Sequence, residues 1–337
     1  MLKIKLTNNE GEYAQGQSRL PATERSFLQS YGYGQMQARL GNEPMYLLAE
    51  EEDGTIRASF LAILFKARRG RYFFLPYAVI TAEIWPLLLD FLRAMASTLK
   101  VDFIRISPLL DDSASNKKFF TENGFRDAPV HMMHPEILWV LDLSKTEKVL
   151  LKEMRKNTRH AIKQATLGGL EIVSGNSPEL LEEFYRLHSE TARRQHFVPY
   201  PREYLNAQLE TFGRADQLKV YLARHEGKYI AGAVIMFYGH EGVYHHGASL
   251  AEYAKIPASH LIQWEAIREA QRRGLAHYNF WGIVENAPRH PWAGLSFFKQ
   301  GFGGQSRRLL HCQDLPLTKK YWFNYAVETV RRIKRGY

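Results

Sequence analysis

The sequence predicts an α+β fold built from two copies of one unit. Three observations predict it. The chain has 337 residues, too many for one comfortable core and suited to two domains. A hairpin, a third strand, a helix and a further strand follow one another twice. Turn signals at Asp53-Gly54 and Glu226-Gly227 mark the same point in each copy. Each copy therefore reads as a three-stranded antiparallel meander followed by a helix and a strand. The result is two mixed, mostly antiparallel sheets flanked by helices.

In the first copy, Met45–Glu50 and Ile56–Phe65 are the hairpin strands, and Tyr72–Leu75 is the third strand after a basic turn over 66–71. Leu87, Leu88, Phe91, Leu92, Met95 and Leu99 recur at helical spacing, and Val101–Ile106 closes the copy. In the second copy the strands are Lys219–Arg224, Tyr229–Phe237 and Val243–Gly247. A helix over Ser259–Arg273 follows, with Ser259 as N-cap and Gly274 just past its end. Tyr278–Trp281 is the last strand. This order resembles that of GNAT-type N-acyltransferase folds, here expected in tandem: residues 1–144, then 145–310, then a helical segment 311–337.

Composition limits the function classes. Apolar residues make up 45% of the chain, enough for a real core. A single cysteine, Cys312, excludes a disulfide framework and a thiolate metal cluster. The start, Met1-Leu2-Lys3-Ile4-Lys5, lacks the apolar stretch of a signal peptide. No window reaches the roughly 20 apolar residues of a membrane span. A cytoplasmic location is expected. The net charge of +10 favours polyanions, phosphorylated substrates or anionic surfaces as partners.

That charge is concentrated between the two copies. Ser144 and Glu147 read as a capping box. On the single helix that this start predicts, Lys148, Lys152, Arg155, Lys156, Arg159, His160 and Lys163 form one basic stripe opposite Leu150, Met154, Ala161 and Ala165. A second basic segment, Tyr321–Tyr337, mixes Trp322, Phe323, Val327 and Val330 with Arg331, Arg332 and Lys334. It is patterned to rest on a membrane surface, and a packed terminal helix with a solvated face is the alternative.

No metal site is expected. His245 and His246 are neighbours on a strand and should face opposite ways, and His131 with His134 lacks acidic company. The loops where a GNAT domain would hold the pyrophosphate of acyl-CoA are also unsuited. Glu252–Ser259 has no glycine and includes Pro257, which has no N–H to give, and residues 76–83 are no better. No cofactor is expected. One segment does look built for chemistry. In Phe297-Phe298-Lys299-Gln300-Gly301-Phe302-Gly303-Gly304, glycines allow close backbone approach beside a lysine able to stabilise an oxyanion.

In order, His290-Pro291, Gly294 and Phe298-Lys299-Gln300-Gly301-Phe302-Gly303-Gly304 resemble the C-terminal motif of the Fem family of aminoacyltransferases. Tyr244 with Gly247-Ala248-Ser249, Tyr278-Asn279-Phe280-Trp281-Gly282-Ile283, Lys156-Asn157-Thr158-Arg159, and Thr191 with Arg194 resemble further motifs of that family. Order and spacing agree from about Glu136 to Gly304. The loop after Arg194, Gln195-His196-Phe197, departs from the family pattern. The resemblance implies an aminoacyl-tRNA donor and an acceptor amine on the peptide stem of UDP-MurNAc-pentapeptide or lipid II; the basic segment Tyr321–Tyr337 would then give peripheral contact at the inner membrane face, where lipid II lies. It implies Lys299 as oxyanion stabiliser and Phe298 as its neighbour in catalysis. Arg194, Tyr244, Gly301 and Gly303 would bind substrate, and Lys152, Arg155, Lys156, Arg159 and Lys163 would bind tRNA phosphates. The sequence has no long heptad stretch for the helical hairpin of many members, so it resembles the short form. The alternative is a GNAT-type N-acyltransferase acting on another amine with an acyl-CoA or aminoacyl-tRNA donor, which measurable CoA binding would favour.

Overall fold

The computed structural model describes residues 1–68, 70–130 and 132–335. Arg69, His131, Gly336 and Tyr337 lie outside the described residues. In chain order the first elements are β1 (Lys3–Leu6), α1 (Glu10–Ser18), α2 (Tyr31–Arg39), β2 (Glu43–Glu50), β3 (Ile56–Ala67), β4 (Gly70–Ala78), α3 (Trp85–Leu99), β5 (Phe103–Pro108), α4 (Ala114–Glu122) and β6 (Arg126–Asp127). The chain continues through β7 (Ile137–Asp142), α5 (Glu147–Glu153), α6 (Lys156–Leu167), β8 (Glu171–Gly175), α7 (Pro178–Gln195), α8 (Arg202–Phe212), β9 (Leu218–His225), β10 (Lys228–Tyr238) and β11 (Glu241–Ser249). It ends with α9 (Ala258–Arg272), β12 (His277–Gly282), α10 (Ala293–Gln300), β13 (Gln305–Arg308), β14 (Gln313–Pro316) and α11 (Lys320–Arg335).

These elements form two compact units, Ile137–Arg307 and Met1–Glu136 with Arg308–Tyr337. The sequence set 311–337 apart, but β14 enters the first sheet between β5 and β6 and carries α11 with it. In that sheet the strand order is β1-β2-β3-β4-β5-β14-β6; the second runs β13-β7-β12-β11-β10-β9-β8. The expected meanders are β2-β3-β4 and β9-β10-β11, each antiparallel. In both units the strand after the helix pairs in parallel with the third meander strand, β5 with β4 and β12 with β11.

Each helix is held by one apolar face. Trp85, Leu88, Leu89, Leu92 and Ala96 of α3 are buried against Leu47, Phe60, Phe73 and Leu75 of the sheet, each large side chain contributing roughly 1.5–3 kcal/mol. Leu87 is exposed instead, because the buried arc is centred one residue further on. Lys100 ends α3 in the left-handed conformation. In the second unit, Leu261, Ile262, Ala266, Ile267 and Ala270 of α9 pack against Tyr221, Ala233, Ile235 and Phe280. Pro257, not Ser259, stands at the N-cap of α9, with no side-chain cap bond.

A buried ion network closes the first unit. Arg105 on β5 is 2% exposed, and its guanidinium donates to both carboxylate oxygens of Asp314 on β14 at 2.7 and 2.8 Å. It also donates to Glu328 of α11 at 2.8 Å. The Tyr321 hydroxyl donates to Asp314 at 3.2 Å. Breaking one partner of such a network leaves a buried charge unpaired. Asp314→Ala should cost about 3–5 kcal/mol of stability, measured by urea unfolding of the full chain.

Candidate active site

The second unit has an opening built into its sheet. Strands β11 and β12 pair only over Glu241–Val243 with His277–Asn279. Beyond that, β11 carries a bulge, since its register against β10 jumps from Tyr244 to His246. Strand β12 shifts against β7 between Asn279 and Gly282. Trp281 takes a positive φ of 67° there, and its N–H is held by the Asn279 side chain. The two strands therefore part after their third pair.

Helix α10 delivers Lys299 to this opening. The Ser296 hydroxyl accepts from the Val284 N–H at 2.9 Å, and the Lys299 ammonium donates to the Gly282 carbonyl at 2.6 Å. Together they fasten α10 to the chain leaving β12. Lys299 is only 4% exposed, and its Nζ lies 5.6 Å from the ring centroid of Tyr244 on β11. Burial pulls its pKa down to about 7. Burial pushes the Tyr244 phenol up to about 12, so it stays protonated and able to donate. Gly247 makes room for that phenol: a Cβ there would overlap the hydroxyl and stand 2.6 Å from Cζ.

The glycine-rich loop after Lys299 holds α10 in place. The Gly301 carbonyl accepts the Arg155 N–H at 2.9 Å, and a Cβ at 301 would stand 2.5 Å from the Thr158 hydroxyl. The Gly303 carbonyl accepts the Trp139 indole N–H at 2.6 Å, with φ of 83° at Gly303. Phe298 packs edge-on against His260 at 4.9 Å and Phe302 at 5.4 Å. His260, in the first turn of α9, is a half-buried imidazole whose pKa burial lowers; nothing in its sequence context marks it. Arg194 at the end of α7 donates to the Ser249 carbonyl at 2.8 Å, and Thr191 brackets the same residue through its carbonyl and N–H.

The basic stripe is not one surface. The chain is extended at Met154 and Arg155, which divides the expected helix into α5 and α6. This bend lets the Arg155 N–H reach Gly301. The Arg155 guanidinium donates to the Phe297 carbonyl at 3.0 Å and stacks over its ring at 4.2 Å. The Arg159 guanidinium turns back onto the carbonyls of Leu151, Lys152 and Met154, which α5 leaves unpaired at its end. Lys152, Lys156 and Lys163 remain exposed. The capping box does not form either: Thr146 precedes α5 without a side-chain bond, and Glu147 pairs with Arg268 at 3.0 Å.

The β11 bulge also corrects the expectation for the two histidines. His245 and His246 lie with ring centroids 4.1 Å apart, and Gln208 reaches both, at 2.9 Å to His245 Nδ1 and 3.2 Å to His246 Nε2. His188 packs beside His246 at 6.1 Å. Burial and its histidine neighbours depress the His246 pKa, favouring the neutral ring. Among the described residues no group of three or more His, Cys, Asp or Glu is placed to hold a metal ion. Cys312 is buried in the first unit, where burial raises its thiol pKa.

The start of α9 has few donors left for a pyrophosphate. The Ala258 N–H is bonded to the Ile256 carbonyl at 2.8 Å, and the His260 N–H to the Pro257 carbonyl at 3.1 Å. In the first unit β4 breaks register against β5 between Leu75 and Ala78, and on the other edge of β4 Gln29 bridges it to β3 beyond their last pair, Ile63 with Phe74. Its amide donates to the carbonyls of Leu61 and Pro76 and accepts from the Leu61 N–H.

A sequence model of the acetyltransferase (GNAT) domain matches residues 152–290. The UDP-N-acetylmuramoylpentapeptide-lysine N(6)-alanyltransferase of Weissella viridescens is 27% identical over 274 residues, 72% of this chain and 80% of that protein. A lipid II:glycine glycyltransferase of Staphylococcus haemolyticus (strain JCSC1435) is 30% identical over 140 residues, 40% of this chain and 33% of the relative. The crystal structure of FemX superposes with a TM-score of 0.84 at 16% identity, covering 97% of this chain and all of that one. Fold and site together define a tandem GNAT-fold acyltransferase. Within that class the chain resembles the Fem family of aminoacyltransferases in sequence and in fold.

The buried Lys299 carries a stability signature. Its folded pKa, about 7, lies below the ordinary 10.5, so between those values the unfolded chain binds the extra proton and stability rises with pH. Below pH 7 the buried charge costs on the order of 5 kcal/mol. Lys299→Met should therefore raise the unfolding midpoint at pH 6, with the gain shrinking towards pH 10. Calorimetry at both values checks this; an equal gain at both contradicts it.

Proposed function

We propose that the protein transfers an amino acid from aminoacyl-tRNA to an amine on the peptide stem of a peptidoglycan precursor, UDP-MurNAc-pentapeptide or lipid II. The observation that carries this reading is Lys299, buried at the parting of β11 and β12 with one N–H on Gly282 and Tyr244 alongside. The two related enzymes act on such precursors by name: on the lysine N6 of UDP-N-acetylmuramoylpentapeptide, and on lipid II.

The chemistry asks little of side chains. The acceptor amine attacks the ester carbonyl carbon, the C–N bond forms, and negative charge gathers on the carbonyl oxygen. The protonated Lys299 has donors beyond the one spent on Gly282, and these meet that oxyanion in a dry site where a donor counts most. Collapse of the intermediate breaks the ester C–O bond; the amine gives up its proton and the 3′-ribose oxygen gains one. Phe298 shapes the site beside Lys299. Tyr244 stays neutral and lines the acceptor path. Arg194 spends one N–H on Ser249 and keeps others for an acceptor phosphate. Gly301 and Gly303 fix the loop that aims Lys299. Lys152, Lys156 and Lys163 take tRNA phosphates, while Arg155 and Arg159 hold the bend between α5 and α6. The engaged N–H groups at the start of α9 favour an aminoacyl-tRNA donor over acyl-CoA. The protein works in the cytoplasm, at the inner face of the membrane when its acceptor is lipid-linked.

The test is transfer of radiolabelled amino acid from a total aminoacyl-tRNA pool to lipid II, to UDP-MurNAc-pentapeptide, and to no acceptor. Label on either precursor is expected; no transfer to either overturns the reading. Lys299→Met should lower the transfer rate about 100- to 1000-fold, and a loss below about tenfold removes Lys299 from its role. The wild-type rate at limiting tRNA should fall steeply with added salt, since phosphate contacts release counterions.

A further inference from the structure

Helix α11 has two unlike faces. Its inner face is pinned: Tyr321 is fully buried and bonded to Asp314, Asn324 is 8% exposed, and Glu328 is bonded to Arg105. Its outer face carries Trp322, Phe323, Ala326, Val330 and Ile333, which fall within a continuous arc at helical spacing. Phe323 is 62% exposed and Ile333 71%, with Trp322 and Val330 about half exposed. Such a row of large apolar side chains in water marks an interaction surface.

The charges around the arc say what covers it. Lys320, Arg331 and Lys334 are exposed along the helix, and the Arg126 guanidinium lies over the Trp322 ring at 4.4 Å. The acid of the helix, Glu328, is turned inward to Arg105. An apolar stripe bordered by cations, without an exposed acid on the helix, matches the boundary of an anionic bilayer, where rings and aliphatic chains enter the acyl region and cations meet phosphates. Among the described residues no helix is long and apolar enough to cross a membrane, so the contact lies flat on the surface.

We infer that α11 is an interfacial helix that docks the protein on anionic phospholipid membrane. This extends the proposed lipid II-directed reading, and its test stands apart from that reading. The full chain is sedimented with vesicles of phosphatidylglycerol and phosphatidylcholine in equal parts, and with phosphatidylcholine alone. Wild type should pellet with the anionic vesicles and release as salt rises, and should stay in solution with the neutral ones. Phe323→Glu with Ile333→Glu should weaken binding at least tenfold, and each of Arg331→Gln and Lys334→Gln about fivefold. The substituted side chains are exposed, and unchanged melting curves check the fold. No binding by wild type, or binding indifferent to these changes, overturns the inference. So does a dimer in sedimentation velocity that Phe323→Glu with Ile333→Glu dissolves, which would assign the face to a second copy. Any transfer to soluble UDP-MurNAc-pentapeptide should be the same in all variants; absence of transfer both to that precursor and to lipid II, alongside intact vesicle binding, sinks the aminoacyltransferase reading alone.

Discussion

The second unit is organised around one costly placement: a lysine ammonium buried among apolar side chains with a single backbone carbonyl as its partner. A buried lysine is held only where the surroundings over-determine it. Three things do so here. The Gly282 carbonyl, at the end of β12, accepts from the ammonium at 2.6 Å. The Ser296–Val284 bond fixes the start of the turn that carries Lys299. The loop from Gly301 to Gly304 lies so close to β7 and to the bend between α5 and α6 that side chains there would collide with Thr158 and with the Val140 carbonyl. Two positively charged side chains, Arg155 and Arg159, also bond backbone carbonyls of this support, Arg155 from an exposed position.

The two copies of the fold differ in where their sheets are irregular. In the first, the parallel pair β4 and β5 shifts register between Leu75 and Ala78; in the second, the parallel pair β11 and β12 ends after three residues, and the shift lies between the antiparallel strands β12 and β7. In the first unit Gln29, from a short helical turn, bridges β3 and β4 through Leu61 and Pro76. In the second unit the Gly282 carbonyl accepts from Lys299. The first copy spends its own buried charge, Arg105 with Asp314 and Glu328, on holding β14 and α11.

The architecture was legible because periodicity and turn chemistry are local. The meander strands, the helices over Trp85–Leu99 and Ala258–Arg272, and the strands after them follow from apolar spacing and from glycines at turns. Lys299 was legible because its neighbours are glycines, whose placement beside aromatics is unusual. What was hidden depends on contacts distant in sequence. The bend at Met154–Arg155 is made by the Gly301 carbonyl, far along the chain, so local pattern suggested one helix and one basic stripe. The pairing of His245 and His246 on one side depends on a bulge, which alternation cannot reveal. The membership of β14 in the first sheet depends on Asp314 finding Arg105. His260 and Gln208 carry no local mark at all, since each gains meaning only from the rings it meets.

The charge state of Lys299 is the central claim and is open to direct observation. The full chain, labelled with carbon-13 at the lysine ε position, is titrated by nuclear magnetic resonance, with Lys299→Met identifying the signal that disappears. A midpoint near 7, displaced from the ordinary 10.5, is the predicted result. A midpoint near 10.5 would mean that the ammonium is solvated, and that the dry, preorganised oxyanion site described for β11, β12 and α10 does not exist in solution.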